Sequence, residues 1–307
     1  MARKDPVREI APDLYLISLD QDIPGFTAFI GSWLYKGENT LLVDPGPAAT
    51  VPVLWDALKT LGVRNLDAIL LTHIHMDHAG GMGDLILRFP DTPVICHHAA
   101  IPHLKAPLRL WEGSLKTLGD MARAYGPIRP VPGASLLDAA AFRDFGVTPI
   151  LTPGHAPHHV SYRVEPYLFA GEAGGVFMAF PDGGFRLRPA TPPRFFLETS
   201  VKSIESLMTV PHELLCYAHF GATRNSPEML ERHKNQLFLW RDIIAAELRM
   251  NPHNQIEDRC MTVLLENDPL LSGEHPMSEA IRRRERTFFH NSIRGFIGYI
   301  QDNDMKT

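Results

Sequence analysis

Apolar residues follow two rhythms over the first two-thirds of the chain and only one over the last third. Runs rich in β-branched and aromatic residues at 14–19, 26–35 and 40–43 predict strands, the third ending at the turn signal Asp44-Pro45-Gly46. Val51, Leu54, Trp55, Leu58 and Leu61 recur at helical spacing and predict a helix over 51–61. Ala68-Ile69-Leu70-Leu71 predicts a short, wholly apolar strand that runs straight into a histidine-rich loop. Helical spacing resumes over 80–89 through Met82, Leu85, Ile86 and Phe89. A second half echoes the first. Val147-Thr148-Pro149-Ile150-Leu151 predicts another strand, and it too empties into histidines, at Thr152-Pro153-Gly154-His155-Ala156-Pro157-His158-His159. Further strands are predicted at 160–164, at 167–170 before Gly171-Glu172, and at 214–218 before His219. Strands that repeatedly deliver histidines into the loop behind them suggest two related halves facing one site. Between the halves, 103–125 reads as a helical insertion among prolines, of the kind that forms a lid or wall.

From about residue 221 only the helical rhythm remains. Ser226-Pro227-Glu228 reads as an N-cap serine, proline at the first helical position and an acid in the first turn. Leu230, His233, Leu237, Trp240 and Ile244 then form one stripe, and a last helix from near Ser278 carries Phe289, Ile293, Phe296 and Ile300. The expected organisation is a domain of mixed strands and helices over 1–221 with a helical region, 222–307, packed on it. The aromatic stripe reads as core or as the interface of a homodimer.

Composition narrows the partners. At 307 residues, 45% hydrophobic and 21% charged, the chain has an ordinary globular make-up. No apolar run approaches the roughly 18 residues that span a bilayer, so no membrane partner is expected. The basic N-terminus lacks an apolar segment behind it and does not read as a secretory signal. Cys96, Cys216 and Cys260 are scattered and odd in number, which points to a reducing cytoplasm. A net charge of −5 argues against a nucleic-acid partner and favours a small-molecule substrate.

The chemistry is concentrated in Thr72-His73-Ile74-His75-Met76-Asp77-His78. Imidazole nitrogen and carboxylate oxygen are the usual ligands of zinc and non-haem iron, and a divalent cation would offset the cost of crowding them. In an extended segment His73 and His75 point the same way and can grip one ion, whereas Asp77 and His78 fall where the loop turns into a helix. With His155, Glu172 and His219 from other strand ends, the set suits two adjacent ions. His73, His75 and His155 would hold the first, Asp77, His78 and His219 the second, and Glu172 would bridge.

These motifs resemble those of the metallo-β-lactamase-fold hydrolases, a superfamily that includes glyoxalase II, lactonases and metal-dependent nucleases. The resemblance rests on His73-Ile74-His75-Met76-Asp77-His78, Thr152-Pro153-Gly154-His155, Asp44 after Leu-Leu-Val, and His219, and it spans roughly 14–221. It implies an α/β fold, an αββα sandwich of two mixed sheets with outer helices, and the same ligand split. Asp44 would support the metal-site floor by orienting a ligand. Two divalent ions are expected, zinc first, with iron or manganese as alternatives. They would acidify a bound water to a pKa of about 7 and polarise the substrate's oxygen, with Asp77 handling a proton. The implied reaction is hydrolysis of a small ester-like compound such as a thioester or lactone, glyoxalase II being the nearest group. The alternative is a mononuclear non-haem iron dioxygenase of the persulfide-oxidising type on the same fold. One departure is Glu172, where the family usually has aspartate. The longer side chain could bridge with a shifted backbone, bind one ion, or bind neither. His97, His98, His103, His158, His159 and His233 are expected to be surface or structural groups, and Arg282-Arg283-Arg284 a solvated helix face. Tyr217 is a candidate for the pocket wall.

Overall fold

The computed structural model describes residues 5–180, 182–192, 194–251, 255–272, 275 and 277–304. Its first sheet runs in sequence order through β1 (Val7–Ala11), β2 (Leu14–Ser18), β3 (Gly31–Lys36), β4 (Thr40–Val43), β5 (Ala68–Leu70), β6 (Val94–Cys96) and β7 (Leu136–Asp138). Neighbours are antiparallel up to β4 and parallel beyond it. The second sheet contains β8 (Val147–Leu151), β9 (Val160–Val164) and β10 (Tyr167–Gly171). A separate hairpin, β11 (Val176–Ala179) and β12 (Phe185–Arg188), precedes its last strands, β13 (Leu214–Tyr217) and β14 (Gly221–Thr223). The order is β14-β13-β10-β9-β8, with only β10 and β13 parallel.

Side-chain alternation explains why both sheets are apolar on both faces. Trp33, Leu41, Val43 and Leu70 point between the sheets to meet Tyr162, Phe169, Leu214 and Cys216. The intervening Leu34, Leu42 and Ile69 turn outward onto α1 (Val51–Thr60), α2 (Met76–Ala79) and α3 (Met82–Leu85). On the opposite side Leu168 and Leu215 pack beneath α7 (Leu197–Met208), α8 (Ser226–Met250), α9 (Ile256–Asn267) and α10 (Glu279–Asp304). The architecture is therefore the expected αββα sandwich with helices at the C-terminal end. Among the described residues, no helix is long and apolar enough to cross a membrane.

Local details depart from the sequence reading for identifiable reasons. The strand expected from residue 26 begins only at Gly31, because the segment before it turns, with Ala28 at φ 47°. The insertion expected as one helical stretch is three: α4 (Ile101–Lys105), α5 (Leu108–Leu118) and α6 (Asp120–Tyr125). Pro107 moves Ala106 out of the helical region, to φ −134° and ψ 76°, and Gly119 at φ 57° makes the second break. Ser226 is the first helical residue rather than the cap, and Asn225 precedes it.

Candidate metal centre

All the candidate ligands lie just beyond strand ends at one edge of the sandwich, on loops or short helical turns. β5 leads into His73 and His75 and then α2, which carries Asp77 and His78; β8 leads to His155, β10 to Glu172 and β13 to His219. The structure brings the seven together in two groups. One ligand atom from each of His73, His75, His155 and Glu172 lies within 4.8 Å of the others, and the same holds for Asp77, His78 and His219. Glu172 reaches across. Its Oε2 is 2.6 Å from His155 Nε2 and 3.2 Å from His73 Nε2, while Oε1 is 3.0 Å from His219 Nε2. Asp77 Oδ2 lies 3.5 Å from His78 Nε2 and 3.9 Å from His219 Nε2.

Hydrogen bonds on the far sides of the rings fix which nitrogen faces inward. His155 Nδ1–H donates to the Ala190 carbonyl at 2.9 Å and His219 Nδ1–H to the Phe29 carbonyl at 3.1 Å. His78 Nδ1–H donates to Asp44 Oδ2 at 3.1 Å. Thr72 Oγ1 gives its proton to Asp44 Oδ2 at 2.6 Å, so it accepts from His73 Nδ1–H at 3.0 Å. In the neutral form that would bind a cation, rings held this way turn their Nε2 lone pairs inward. His73 Nε2 and His78 Nε2 are buried with no hydrogen-bond partner, and acceptors face the Glu172 carboxylate. A cation would satisfy these atoms, and imidazole nitrogens with two carboxylates are the donor set of zinc or iron. The residues fit the expected metals.

Electrostatics carry the same stress. Burial first, then His78 and His75, holds His73 well below its ordinary pKa. Burial and then His155 bring His75 down to about 3. Burial opposes charge on His78, yet Asp77 and Asp44 outweigh it and push the ring up to about 10. Burial likewise opposes ionised Glu172, but His155 and the other rings keep its carboxyl well below the usual range.

The backbone explains how Glu172 gets there. The β10 register is interrupted at Phe169/Gly171, and Gly171 takes φ 58°. A Cβ on Gly171 would lie 2.3 Å from His159 Nε2, so glycine is required on grounds of space as well as conformation. His159, expected as a structural partner, accepts the Glu172 N–H at 3.0 Å and is anchored through Nδ1 to Thr152 Oγ1 at 2.9 Å. Asp44 sits where a floor-supporting residue should, accepting from Thr72 N at 2.8 Å as well as from His78.

The cluster opens into a cavity of about 710 Å³ between the insertion and α10. Leu110, Leu118 and Met121 face Phe288 and Ser292 across it, and His103 and His158, expected as structural groups, also line it. One candidate is set aside and one expectation is corrected. Tyr217 stacks on Phe177 at 4.6 Å beneath the helical layer and does not line this cavity, because it alternates away from the face that carries Cys216. Arg284 is 4% exposed rather than solvated. Its guanidinium lies 3.9 Å from the Phe29 ring centroid and pairs with Glu285, which also binds Arg188. Phe29 in turn stacks on His219 at 4.4 Å. Sequence reasoning missed this relay, and nothing local marks it, since its members are far apart in the chain.

Residues 28–219 match the family described as the metallo-beta-lactamase superfamily. The chain is 29% identical over 184 residues to a metallo-beta-lactamase fold-containing protein of Sulfurisphaera tokodaii, covering 56% of this chain and 66% of the relative. It is 32% identical over 195 residues to a hydroxyacylglutathione hydrolase of Yersinia pestis, covering 61% and 60%. The matches thus span less than two-thirds of these curated relatives' length. The crystal structure of an archaeal metallo-beta-lactamase superfamily protein from Sulfolobus tokodaii aligns over 92% of this chain and 97% of its own, with TM-score 0.66 and 21% identity.

Proposed function

Because the chain belongs to the metallo-beta-lactamase superfamily, we propose that it is a binuclear metal-dependent hydrolase of a small ester-like substrate, a thioester, lactone or related acyl compound. One observation carries the reading: the single carboxylate of Glu172 faces both ligand groups, through Oε2 to His155 and His73 and through Oε1 to His219. A site for one ion needs no such span. The dioxygenase alternative, with two histidines and one carboxylate, would leave most of the second group without a task. The hydroxyacylglutathione hydrolase among the relatives supports a thioester within the acyl class.

When bound, the cations would acidify a water to a pKa of about 7 and polarise the carbonyl oxygen. The protein's own residues do the rest. Asp44 and Thr72 lock the tautomers of His78 and His73. The Ala190 and Phe29 carbonyls do the same for His155 and His219. Asp77, part-exposed at the cavity, is placed to accept and return a proton during departure of the leaving group. The cavity walls orient a small substrate over the cluster.

Elemental analysis of purified protein, followed by a panel of thioester, lactone, β-lactam and phosphodiester substrates, tests the proposal. Two divalent ions per chain and chelator-sensitive hydrolysis of an acyl substrate are expected. One iron per chain with oxygen uptake would overturn it.

A further inference from the structure

Two of the carbonyls that orient ligand rings, Ala190 for His155 and Phe29 for His219, lie on segments held by one helix. Along α10, Glu285, Phe288, Ser292 and Gly295 recur at helical spacing on one face. Glu285 offers one carboxylate oxygen to each of two buried arginines: Oε2 accepts from Arg188 Nε at 2.8 Å and Oε1 from Arg284 Nε at 2.9 Å. Burial opposes its charge, but Arg188 and Arg284 outweigh it and hold the carboxyl below its ordinary range. Buried ion pairs add little net stability over apolar packing, so stability alone is a weak reason for such a triad. Its contacts suggest another. Arg284 clamps the first segment: Nη1 donates to the Gly25 carbonyl at 2.6 Å, and the guanidinium lies 3.9 Å from the Phe29 ring centroid. The second segment begins at Arg188 itself. There Ser292 Oγ donates to the Pro189 carbonyl at 3.0 Å, and Thr191 Oγ1 donates to the Ser292 carbonyl at 2.7 Å. Both segments meet α10 too closely for a side chain. A Cβ on Gly25 would lie 2.5 Å from the Ala280 carbonyl oxygen, and one on Gly295 would lie 2.5 Å from that of Pro192.

Building on the binuclear reading above, we propose that Glu285 is a positioning residue: by holding Arg284 and Arg188 together it fixes the Phe29 and Ala190 carbonyls, and through them His219 and His155, relative to each other. His155 belongs to one ligand group and His219 to the other. The frame of α10 thus sets how far apart the two metal positions lie. His73 and His78 are independent of it, since they take their orientation from Thr72 and Asp44. A ring that loses its far-side acceptor is free to turn its Nε2 away, and a bound ion then loses a ligand. On this argument the helical region is part of the metal centre rather than a cover over it.

Glu285→Gln keeps the shape but turns an amide nitrogen toward one of the two guanidiniums, a donor facing a donor. Nitrogen NMR of the ring Nδ1–H groups in the metal-free protein reads the effect without relying on activity. The signals of His155 and His219 should move or vanish, while those of His73 and His78 stay. Zinc affinity, read by competition with a chelating dye, should fall about 10-fold. Two further variants separate the segments. Arg284→Lys keeps a charge beside Glu285 but not the planar fork, and should disturb His219 alone. Ser292→Ala removes the bond to the Pro189 carbonyl and should disturb His155 alone. Ile293→Val, in the core of the same helix, controls for general loosening and should leave all four rings unchanged. Wild-type ring signals in Glu285→Gln, or all four rings shifting together, would overturn the inference. If that variant does not fold, the two segment variants decide, and rings that respond to neither would overturn it. One ion per chain in the wild type would instead overturn the binuclear reading, and the ring signals would still decide the positioning of His155 and His219.

Discussion

Asp44→Asn changes one atom at the floor of the site, and its consequences can be worked through bond by bond. Asp44 is 3% exposed and sits at φ 53°, a conformation asparagine also tolerates, so the backbone need not move. Its carboxylate accepts from three donors: Thr72 N at 2.8 Å, Thr72 Oγ1 at 2.6 Å and His78 Nδ1 at 3.1 Å. An amide can accept on one side only. With its oxygen toward Thr72 N, the amide nitrogen confronts two donors, and His78 is relieved only by moving its proton to Nε2, the atom that faces the cluster. With the amide reversed, the buried Thr72 N–H loses its acceptor at the start of the loop that carries His73 and His75. Either way a charge-assisted bond is lost, at about 1.5–3 kcal/mol.

Two measurements follow from that arithmetic. The melting temperature of the metal-free variant should fall by roughly 3–12 °C, at about 2–4 °C per kcal/mol for a large domain. Zinc affinity, read by competition with a chelating dye, should drop by about 10- to 100-fold because a ligand's orienting partner is gone. A lower melting temperature with unaltered zinc affinity would confine Asp44 to a structural role. If neither changed, the argument from tautomers would be wrong.

Other changes probe separate parts of the structure. Gly171→Ala forces a Cβ to within 2.3 Å of His159 Nε2 at φ 58°, and overpacking plus the left-handed penalty should cost about 2–5 kcal/mol. An unchanged urea midpoint would show that His159 can give way. Glu172→Gln preserves shape but removes the charge that faces both ligand groups, so bound metal should fall from the proposed two ions per chain to one or none. Two ions retained in the variant, by elemental analysis, would rule out a bridging carboxylate. Burial lowers His233 from 6.5 to about 4, so between those values the unfolded chain binds a proton that the folded chain refuses. Stability of the metal-free protein should therefore rise with pH across that window and level off above 6.5, with His233 contributing about 3 kcal/mol of the rise. His233→Leu should flatten the slope by about one proton, and parallel curves for the two proteins would contradict the assignment.

What the sequence could disclose depended on how local the cause was. Strands apolar on both faces announce a sheet buried on both sides, and Thr72 to His78 concentrates its ligands in a single loop, so the fold and one half of the cluster were legible. The breaks at Pro107 and Gly119 are legible in kind, but helical spacing continues on both sides and masks them. Phe29 and the Arg188–Glu285–Arg284 cluster left no local trace, because their environment is assembled from segments far apart. Glu172 lies between these cases. Side-chain length alone left open whether it reached both groups, one or neither. The deciding variable is the backbone: the irregular register at the end of β10, the positive φ of Gly171, and a Glu172 N–H captured by His159 from thirteen positions earlier. The same ring that fixes the Glu172 backbone also fills the space that a Gly171 side chain would need. His159, Gly171 and Glu172 consequently act as one unit, in which the position of the carboxylate follows from a turn that composition and periodicity cannot encode.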